Sequence, residues 1–465
     1  MVDILLVDVW GGEHLYPPLS LGYLASIARN NGFSVSILEP NSIENFDIKI
    51  FKKILEEEDP TFCGFSGYTM EISNAYRMID IVKEVSSKCI TLLGGPHPTA
   101  IGMETFDENK NIDIIFFGEG EESFNDFLKN FNKPQKVKGI AFRHNGKKIK
   151  TEPRPFIEDL DSIPYPARDL FSTNYKGDTM YEKRPVGILI SSRGCPFNCN
   201  FCNKAVFGYK FRQRSVQNVM GEIDEMINVY GMNEIFFIED NFGLNESWVK
   251  EFCKEYKRRF DKPWRCLMRV NAVSLDTLKM MENAGCHTIS IGVESGSEKV
   301  LKWIDKGLTK QQLREGFKII RKTGLNIEGF FIIGHRIDTK KTIMETIEFA
   351  KELNPDFPRF FIFSPYPGSR VFDELPEKEK YKYWLKGIEP KLRSTKPISI
   401  CKLSPEELVE LWHRAYEEFY TNPKYLLRNV IPHFIREPFN RLCYKKLVNW
   451  VGAGVFRMHR VLYRE

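Results

Sequence analysis

The sequence has no apolar run approaching the roughly 18–20 residues that cross a bilayer. Its start, MVDILLVDVW, has acids inside the apolar run and no small-residue cleavage site, so it reads as a first strand and not a secretory signal. Cysteine is scarce: ten in 465 residues are too few for a disulfide scaffold. In a cytoplasmic chain, closely spaced cysteines point to metal or redox chemistry instead. Repeats and low-complexity tracts are absent. With 42% apolar and 28% charged residues, wholesale disorder and fibrous classes are excluded. Excess charge is also lacking over most of the chain. Of the net +5, residues 421–465 hold nine Lys/Arg against Glu437 and Glu465, a surplus of seven, which leaves −2 for everything before them. That near-neutral body offers no case for a nucleic-acid partner.

Alternation of short apolar runs with amphipathic stretches is what the chain does have. Strands are expected at Ile4–Val9, Ser34–Leu38, Thr61–Ser66, Ile90–Leu93 and Asp113–Phe117, with helices such as Leu19–Asn31, Asp47–Glu57 and Ile72–Val85 between them. Continuous Val/Ile/Leu/Phe strands separated by helices mean a parallel sheet buried on both faces, so residues 1–135 are expected to form a doubly wound, Rossmann-like α/β domain. Residues 136–186 read as a hairpin turning at Asn145-Gly146 and a proline-rich linker. A second alternating run over 187–372 has strands near 187–192, 234–239, 265–270, 287–292, 327–333 and 359–364. Six βα units suggest a partial (β/α)6 barrel of TIM type, with chemistry at the carboxyl ends of its strands. Residues 373–465 read as a mostly helical region with a basic tail.

The sharpest motif follows the first barrel strand: Ser191-Ser192-Arg193-Gly194-Cys195-Pro196-Phe197-Asn198-Cys199-Asn200-Phe201-Cys202. Thiolates in C-x3-C-x2-C spacing suit an iron–sulfur cluster, in which three of them hold three irons of four. A structural zinc site would call for a fourth close Cys or His, and none follows. The seven other cysteines mostly sit in apolar patterns and read as small buried hydrophobes.

On these residues, with Phe201 at the aromatic position before the last cysteine, the chain resembles the radical S-adenosylmethionine (SAM) superfamily. The resemblance implies a [4Fe-4S] cluster on Cys195, Cys199 and Cys202, SAM chelating its open iron, and reductive cleavage to a 5′-deoxyadenosyl radical. It also implies SAM contacts at Phe201, at Asp240 within Ile238–Phe242, at Arg269 and at Glu294. That glutamate lies in Gly292-Val293-Glu294-Ser295-Gly296-Ser297, which is similar to the family's G-x-E-S-G-S segment. Ser364-Pro365-Tyr366-Pro367-Gly368-Ser369 is similar to its T-P-x-P-G-T turn.

In the first domain no G-x-G-x-x-G follows Val9, so a dinucleotide is not expected. The loops that follow the strands are instead Tyr68-Thr69-Met70-Glu71, Gly94-Gly95-Pro96-His97-Pro98, and Gly118-Glu119-Gly120-Glu121. Together they resemble the cobalamin-binding domain fused ahead of radical SAM barrels. That resemblance places cobalamin against Tyr68, Thr69, Gly94, Gly95, Pro96, His97, Gly118, Glu119 and Glu121, with Tyr68 or Thr69 nearest the lower face of cobalt. The D-x-H-x-x-G motif of classical cobalamin enzymes is absent, so no histidine of that motif can ligate cobalt. His97 is expected to shape the loop beside the nucleotide tail; His14 is equally open to either reading.

The combined resemblance implies a methyltransferase acting on an unactivated carbon of a small-molecule or lipid substrate. The same cofactors would also serve a cyclase or rearrangement enzyme without net methylation, and a non-catalytic cobalamin or redox sensor is a further alternative. An electron donor such as flavodoxin or ferredoxin and a cytoplasmic setting are implied. Leu442, Lys446, Leu447, Trp450, Val451, Val455, Met458, Val461 and Leu462 recur near helical spacing among basic residues. They suit either a helix packed over the barrel or peripheral contact with an anionic membrane.

Overall fold

The computed structural model describes residues 2–10, 15–172, 175, 180–380 and 398–430. The first sheet takes the strand order β2-β1-β3-β4-β5-β6-β7, from β1 (Ile4–Val7), β2 (Val35–Leu38), β3 (Phe62–Ser66), β4 (Ile90–Gly94), β5 (Ile114–Phe116), β6 (Ile140–His144) and β7 (Lys147–Lys150). The first five are parallel and the last two add an antiparallel hairpin. Asn145 and Gly146 both take positive φ at its turn, as a two-residue hairpin requires. Alternate side chains serve two faces. Ile4, Leu6, Phe62, Leu92 and Ile114 pack under the helices Leu19–Asn30 and Gly120–Asn130. Leu5, Val7, Cys63, Phe65 and Leu93 pack under Ile48–Glu58 and Ile72–Val85. This two-sided burial is why the strands read as unbroken apolar runs.

The second sheet is six parallel strands in the order β15-β14-β13-β12-β11-β8. They are β8 (Val186–Leu189), β11 (Glu234–Phe237), β12 (Trp264–Met268), β13 (Cys286–Glu294), β14 (Asn326–Ile333) and β15 (Phe357–Ile362). A short ribbon of β9 (Ser192–Arg193) and β10 (Arg212–Gln213) branches off behind β8. Outward residues of the strands (Leu189, Phe237, Trp264, Ile291, Phe331) meet the outer helices in one core. Helix starts are fixed by side-chain caps, Ser215 on the amide of Asn218 and Thr309 on that of Gln312.

A six-stranded barrel leaves two sheet edges, and both are covered. Helix Pro405–Tyr420 lies on β15: Trp412 donates its indole N–H to the Phe360 carbonyl at 2.8 Å, and Tyr416 accepts from the Phe360 amide. Leu408, Leu411, Ala415 and Phe419 join the barrel core, so this part of the region expected from 373 onward completes the barrel wall. Beside β8, Leu19 and Tyr23 of the first domain pack on Ile188 and Phe236. Phe372 and Leu375, just past the barrel, belong to the first domain's core. Among the described residues no helix is long and apolar enough to cross a membrane. The expected amphipathic pattern of 442–462, and Cys443 and His14, lie outside the described residues.

Candidate functional site

Strand β8 delivers the chain into the three-cysteine loop through β9. Gly194 takes φ +81°, and a Cβ there would lie 2.2 Å from the Lys210 carbonyl oxygen, so only glycine can make this entry. The Cys195 amide then donates to the Gly208 carbonyl at 3.3 Å. The far side of the loop is stitched to other barrel loops. Asn200 donates from its backbone to Ile304 (2.9 Å) and from its side chain to Trp303 (2.7 Å), and Asn203 donates to the Pro367 carbonyl at 2.8 Å. The S-P-Y-P-G-S turn thus braces the thiol loop.

Cys195 is buried and Cys199 and Cys202 are half-buried. Burial pushes the Cys202 thiol up to about 11, while Lys204 pulls the other way. Burial likewise raises Cys199, opposed by Lys306 and Arg269. Among the described residues no three His, Cys, Asp or Glu side chains converge as ligands of a single metal ion. A four-iron cluster asks for something different, one thiolate on each of three irons. Three soft donors on one loop, ringed by the cations Lys204, Lys306 and Arg269, fit such an anionic cluster, whose ferric charge would keep the thiols ionised.

On the barrel side of the thiols, Glu294 ends β13 with φ +67°, an uncommon conformation for a residue with a side chain. Its carboxylate accepts from Lys306 Nζ at 2.5 Å, and both lie buried over Gly292, where a Cβ would meet them at 2.2 and 2.5 Å. Arg269, just beyond β12, stacks its guanidinium 3.6 Å over the Phe197 ring and donates to the Lys306 carbonyl at 2.7 Å, which leaves its Nε without a protein partner. Phe201 leans on His335 at 6.1 Å between centroids. Buried polar atoms with no protein partner (Arg269 Nε, Asn241 Nδ2, Asn200 Oδ1) cluster on these same loops, as a site awaiting a polar ligand requires. Asp240, beyond β11, is exposed. A carboxylate–ammonium pair, a stacked guanidinium and an aromatic ring form a donor set whose chemistry is compatible with SAM.

Across from the thiols, a cavity of about 490 Å³ opens at the carboxyl ends of β3, β4 and β5. Its floor is apolar (Leu6, Leu21, Phe65, Leu92, Phe116), and its mouth is built by Tyr68, Gly94, Gly95, Pro96 and Gly118–Glu121. The barrel closes it with Asn203, Lys204, Phe207 and Asp240. An apolar slot with a backbone-lined mouth fits the aromatic tail and amide rim of cobalamin. Thr69 and His97 are not among its walls. His97 is fully buried, its Nδ1 3.2 Å from Thr69 Oγ1 and its Nε2 3.0 Å from Glu108, to which Tyr76 also donates. His97, expected to shape the loop beside the nucleotide tail, is placed by the structure against the Thr69 hydroxyl. Glu119 and Glu121 line the cavity, yet their carboxylates are engaged by Arg193 and Arg212 of the second domain. Burial works to raise the Glu121 pKa, but Arg193 outweighs it and holds it below the usual value.

Three residues, Lys204, Lys306 and His335, escaped the sequence reading, and Glu239 entered it only as part of the Ile238–Phe242 segment. Lys204 stands between cavity and thiols; burial works to lower its pKa, but Cys202, Cys195 and Asp240 raise it overall. Lys306 had no motif around it. Glu239 is fully buried and pushed up to about 7 by that burial, its carboxylate accepting from the Ser191 hydroxyl and amide. His335 sits caged by Phe201, Trp303 and Phe363, and burial pushes it down to about 3, so its ring is neutral.

With this geometry in hand, residues 189–350 match the model of the Radical SAM superfamily and residues 10–128 that of the B12 binding domain. An uncharacterized methyltransferase from Pyrococcus horikoshii is 34% identical over 424 residues, 90% of each chain. The anaerobic magnesium-protoporphyrin IX monomethyl ester cyclase of Cereibacter sphaeroides is 28% identical over 87% of this chain and 67% of its own length. Among solved structures, the radical SAM methyltransferase TsrM from Kitasatospora setae, with cobalamin and a [4Fe-4S] cluster bound, matches with a TM-score of 0.66 at 15% identity over 80% of this chain and 74% of its own. At that identity the likeness speaks for the fold.

Proposed function

We propose, from the premise that this chain belongs to the cobalamin-dependent radical SAM family, that it transfers a methyl group to an unactivated carbon of a small-molecule or lipid substrate. One observation carries the reading: Asn203 and Lys204, directly after the third thiol, are walls of the cavity in the cobalamin-binding domain, so the two cofactor sites open onto each other. With the cofactors bound, the cluster and SAM supply a 5′-deoxyadenosyl radical and cobalamin supplies the methyl group. In this reading Cys195, Cys199 and Cys202 hold the cluster and leave one iron for SAM. Glu294, held by Lys306, and Arg269, held over Phe197, orient the amino-acid end of SAM. Phe201, backed by the buried His335 ring, gives it an apolar wall that keeps water from the reacting carbon. Tyr68 and the Gly94–Pro96 and Gly118–Glu121 loops seat cobalamin, with Thr69 steadied by His97 beneath. A flavodoxin or ferredoxin in the cytoplasm would deliver the electrons.

Similarity to a cyclase favours a second reading, in which the same cofactors close or rearrange a ring without methylation. Anaerobic reconstitution with iron, sulfide and cobalamin, followed by turnover with methyl-labelled SAM, separates the two. Label in the product together with 5′-deoxyadenosine is the expected result. Formation of 5′-deoxyadenosine on the true substrate with no label transferred would defeat the methyl-transfer reading.

A further inference from the structure

The Glu119 and Glu121 side chains run from the cavity mouth into a buried cluster of ion pairs with the second domain. Glu119 accepts from Arg193 Nη1 at 3.1 Å, from Arg212 Nη1 at 2.7 Å and from the Ile157 amide at 2.8 Å. Glu121 accepts from Arg193 Nη2 at 2.5 Å. The two arginines are register partners across the β9–β10 ribbon. Both arginines and Glu119 are buried, and Arg193 lies between the rings of Phe207 (5.1 Å) and Tyr23 (5.8 Å). Phe207 is itself a wall of the cavity.

Chain connectivity makes this cluster more than an interface contact. Arg193 is separated from Cys195 by Gly194 alone, and that glycine passes the Lys210 carbonyl so closely that a Cβ there would lie 2.2 Å from its oxygen. A displacement of Arg193 therefore moves the first thiol. A buried guanidinium tolerates no position in which its carboxylates are missing. Docking of the lip Gly118–Glu121 therefore adds to the hold on the ribbon that Arg212 takes through the Ile157 and Phe207 carbonyls. That lip is also a wall of the cavity, so whatever fills the cavity favours one lip position by its own contacts.

We propose that Arg193 and its two carboxylates are positioning residues that link the occupant of the cobalamin cavity to the three-thiol loop, so that filling the cavity steadies the thiols and the metal they hold. The inference rests on the cofactor assignment made above. The coupling is reciprocal, since one lip position serves both sites.

Iron release to a ferrous chelator tests it, on full-length reconstituted protein with and without hydroxocobalamin. In the wild type the corrinoid is expected to slow release several-fold. In Arg193→Lys, which loses the forked geometry, and in Glu121→Gln, which keeps the Glu119 contacts and so preserves the fold, the protection is expected to fall below twofold while corrinoid absorbance shows the cavity still filled. Lys210→Gln, which breaks only the exposed pair with Glu158 on the same ribbon, is expected to keep full protection. Equal protection in wild type and both variants, or none in a wild type holding both cofactors, overturns the coupling alone. A wild type that takes up no corrinoid overturns the proposed function and this inference with it.

Discussion

Replacing Glu222 by glutamine removes one charge and almost no volume, and the structure fixes what that costs. Glu222 lies on the helix Val216–Asn228 with its side chain about 1% exposed, receiving Arg168 Nη2 and Arg214 Nη1 at 2.5 Å each. The same guanidiniums cap the end of β8, Arg168 on the Ile188 carbonyl at 2.8 Å and Arg214 on that of Ile190 at 3.0 Å. The variant leaves two buried cations facing a neutral amide, a loss of about 3–5 kcal/mol. For a domain of the barrel's size that lowers Tm by about 10 °C. Burial works to raise the Glu222 pKa, but Arg214 and Arg168 outweigh it and hold it below the ordinary 4.5. A depressed folded value contributes stability above the unfolded one and loses it as pH falls through the folded one. The gap between wild type and variant is therefore full at pH 7 and closes below about pH 4.5. Thermal and denaturant unfolding of the cofactor-free protein, followed by circular dichroism at several pH values, measures it. A shift under 2 °C at pH 7, or a gap that stays constant into acid, would refute the assignment of this carboxylate as the charged keystone of β8.

Serine at Cys195, Cys199 or Cys202 is expected to abolish iron uptake and SAM cleavage, whereas alanine at buried Cys253 leaves both; iron analysis and 5′-deoxyadenosine assays decide. Glu294→Gln strands Lys306 in a buried site and is expected to raise the KM for SAM at least about tenfold, the cost of a lost charge-assisted hydrogen bond, with iron content unchanged. Glu239→Gln is expected to flatten the pH dependence of stability. Burial raises Glu239 from 4.5 to about 7, so its contribution is full below 4.5 and is lost as pH rises through 7. That difference is worth about 3 kcal/mol, and denaturant titrations at pH 5 and pH 8 read it.

Much of this architecture was legible because burial on two faces leaves a strong trace in sequence. Strand β1, with four consecutive buried residues, reads as a strand for that reason, and so do β3, β4 and the barrel strands. The thiol loop was legible through spacing alone, since C-x3-C-x2-C leaves few other uses. Tertiary approach hid the rest. Lys306 reaches Glu294 across 12 residues and Arg193 reaches Glu121 across 72, and neither pair has a local pattern. His335 is one histidine after a strand, and its burial depends on Trp303 and Phe363 arriving from other loops. Residues from 373 onward read only as mostly helical, and nothing local to Pro405–Tyr420 names β15 as its partner. Glu119 and Glu121 were legible as cavity residues, while their arginine partners were not.

The placement of the first domain follows from the incompleteness of the barrel. The six strands do not close on themselves, β15 and β8 being the two ends of the sheet, so β8 presents an edge and an inner apolar face that water would otherwise reach. Leu19 and Tyr23 cover Ile188 and Phe236, while Tyr16, from the loop ahead of them, meets Arg265 deep in the barrel. The helix that follows, Leu19–Asn30, is also a wall of the cavity through Ser20, Leu21 and Leu24. One helix therefore seals the open flank of the barrel with one face (Leu19, Tyr23) and shapes the corrinoid slot with another (Ser20, Leu21, Leu24). Because both tasks fall to the same rigid element, the slot cannot drift relative to β8, and β8 is the strand that leads to the thiols. The geometry between the two cofactor sites is thus set by secondary structure packed on both sides, which a flexible linker between two independent domains could not provide.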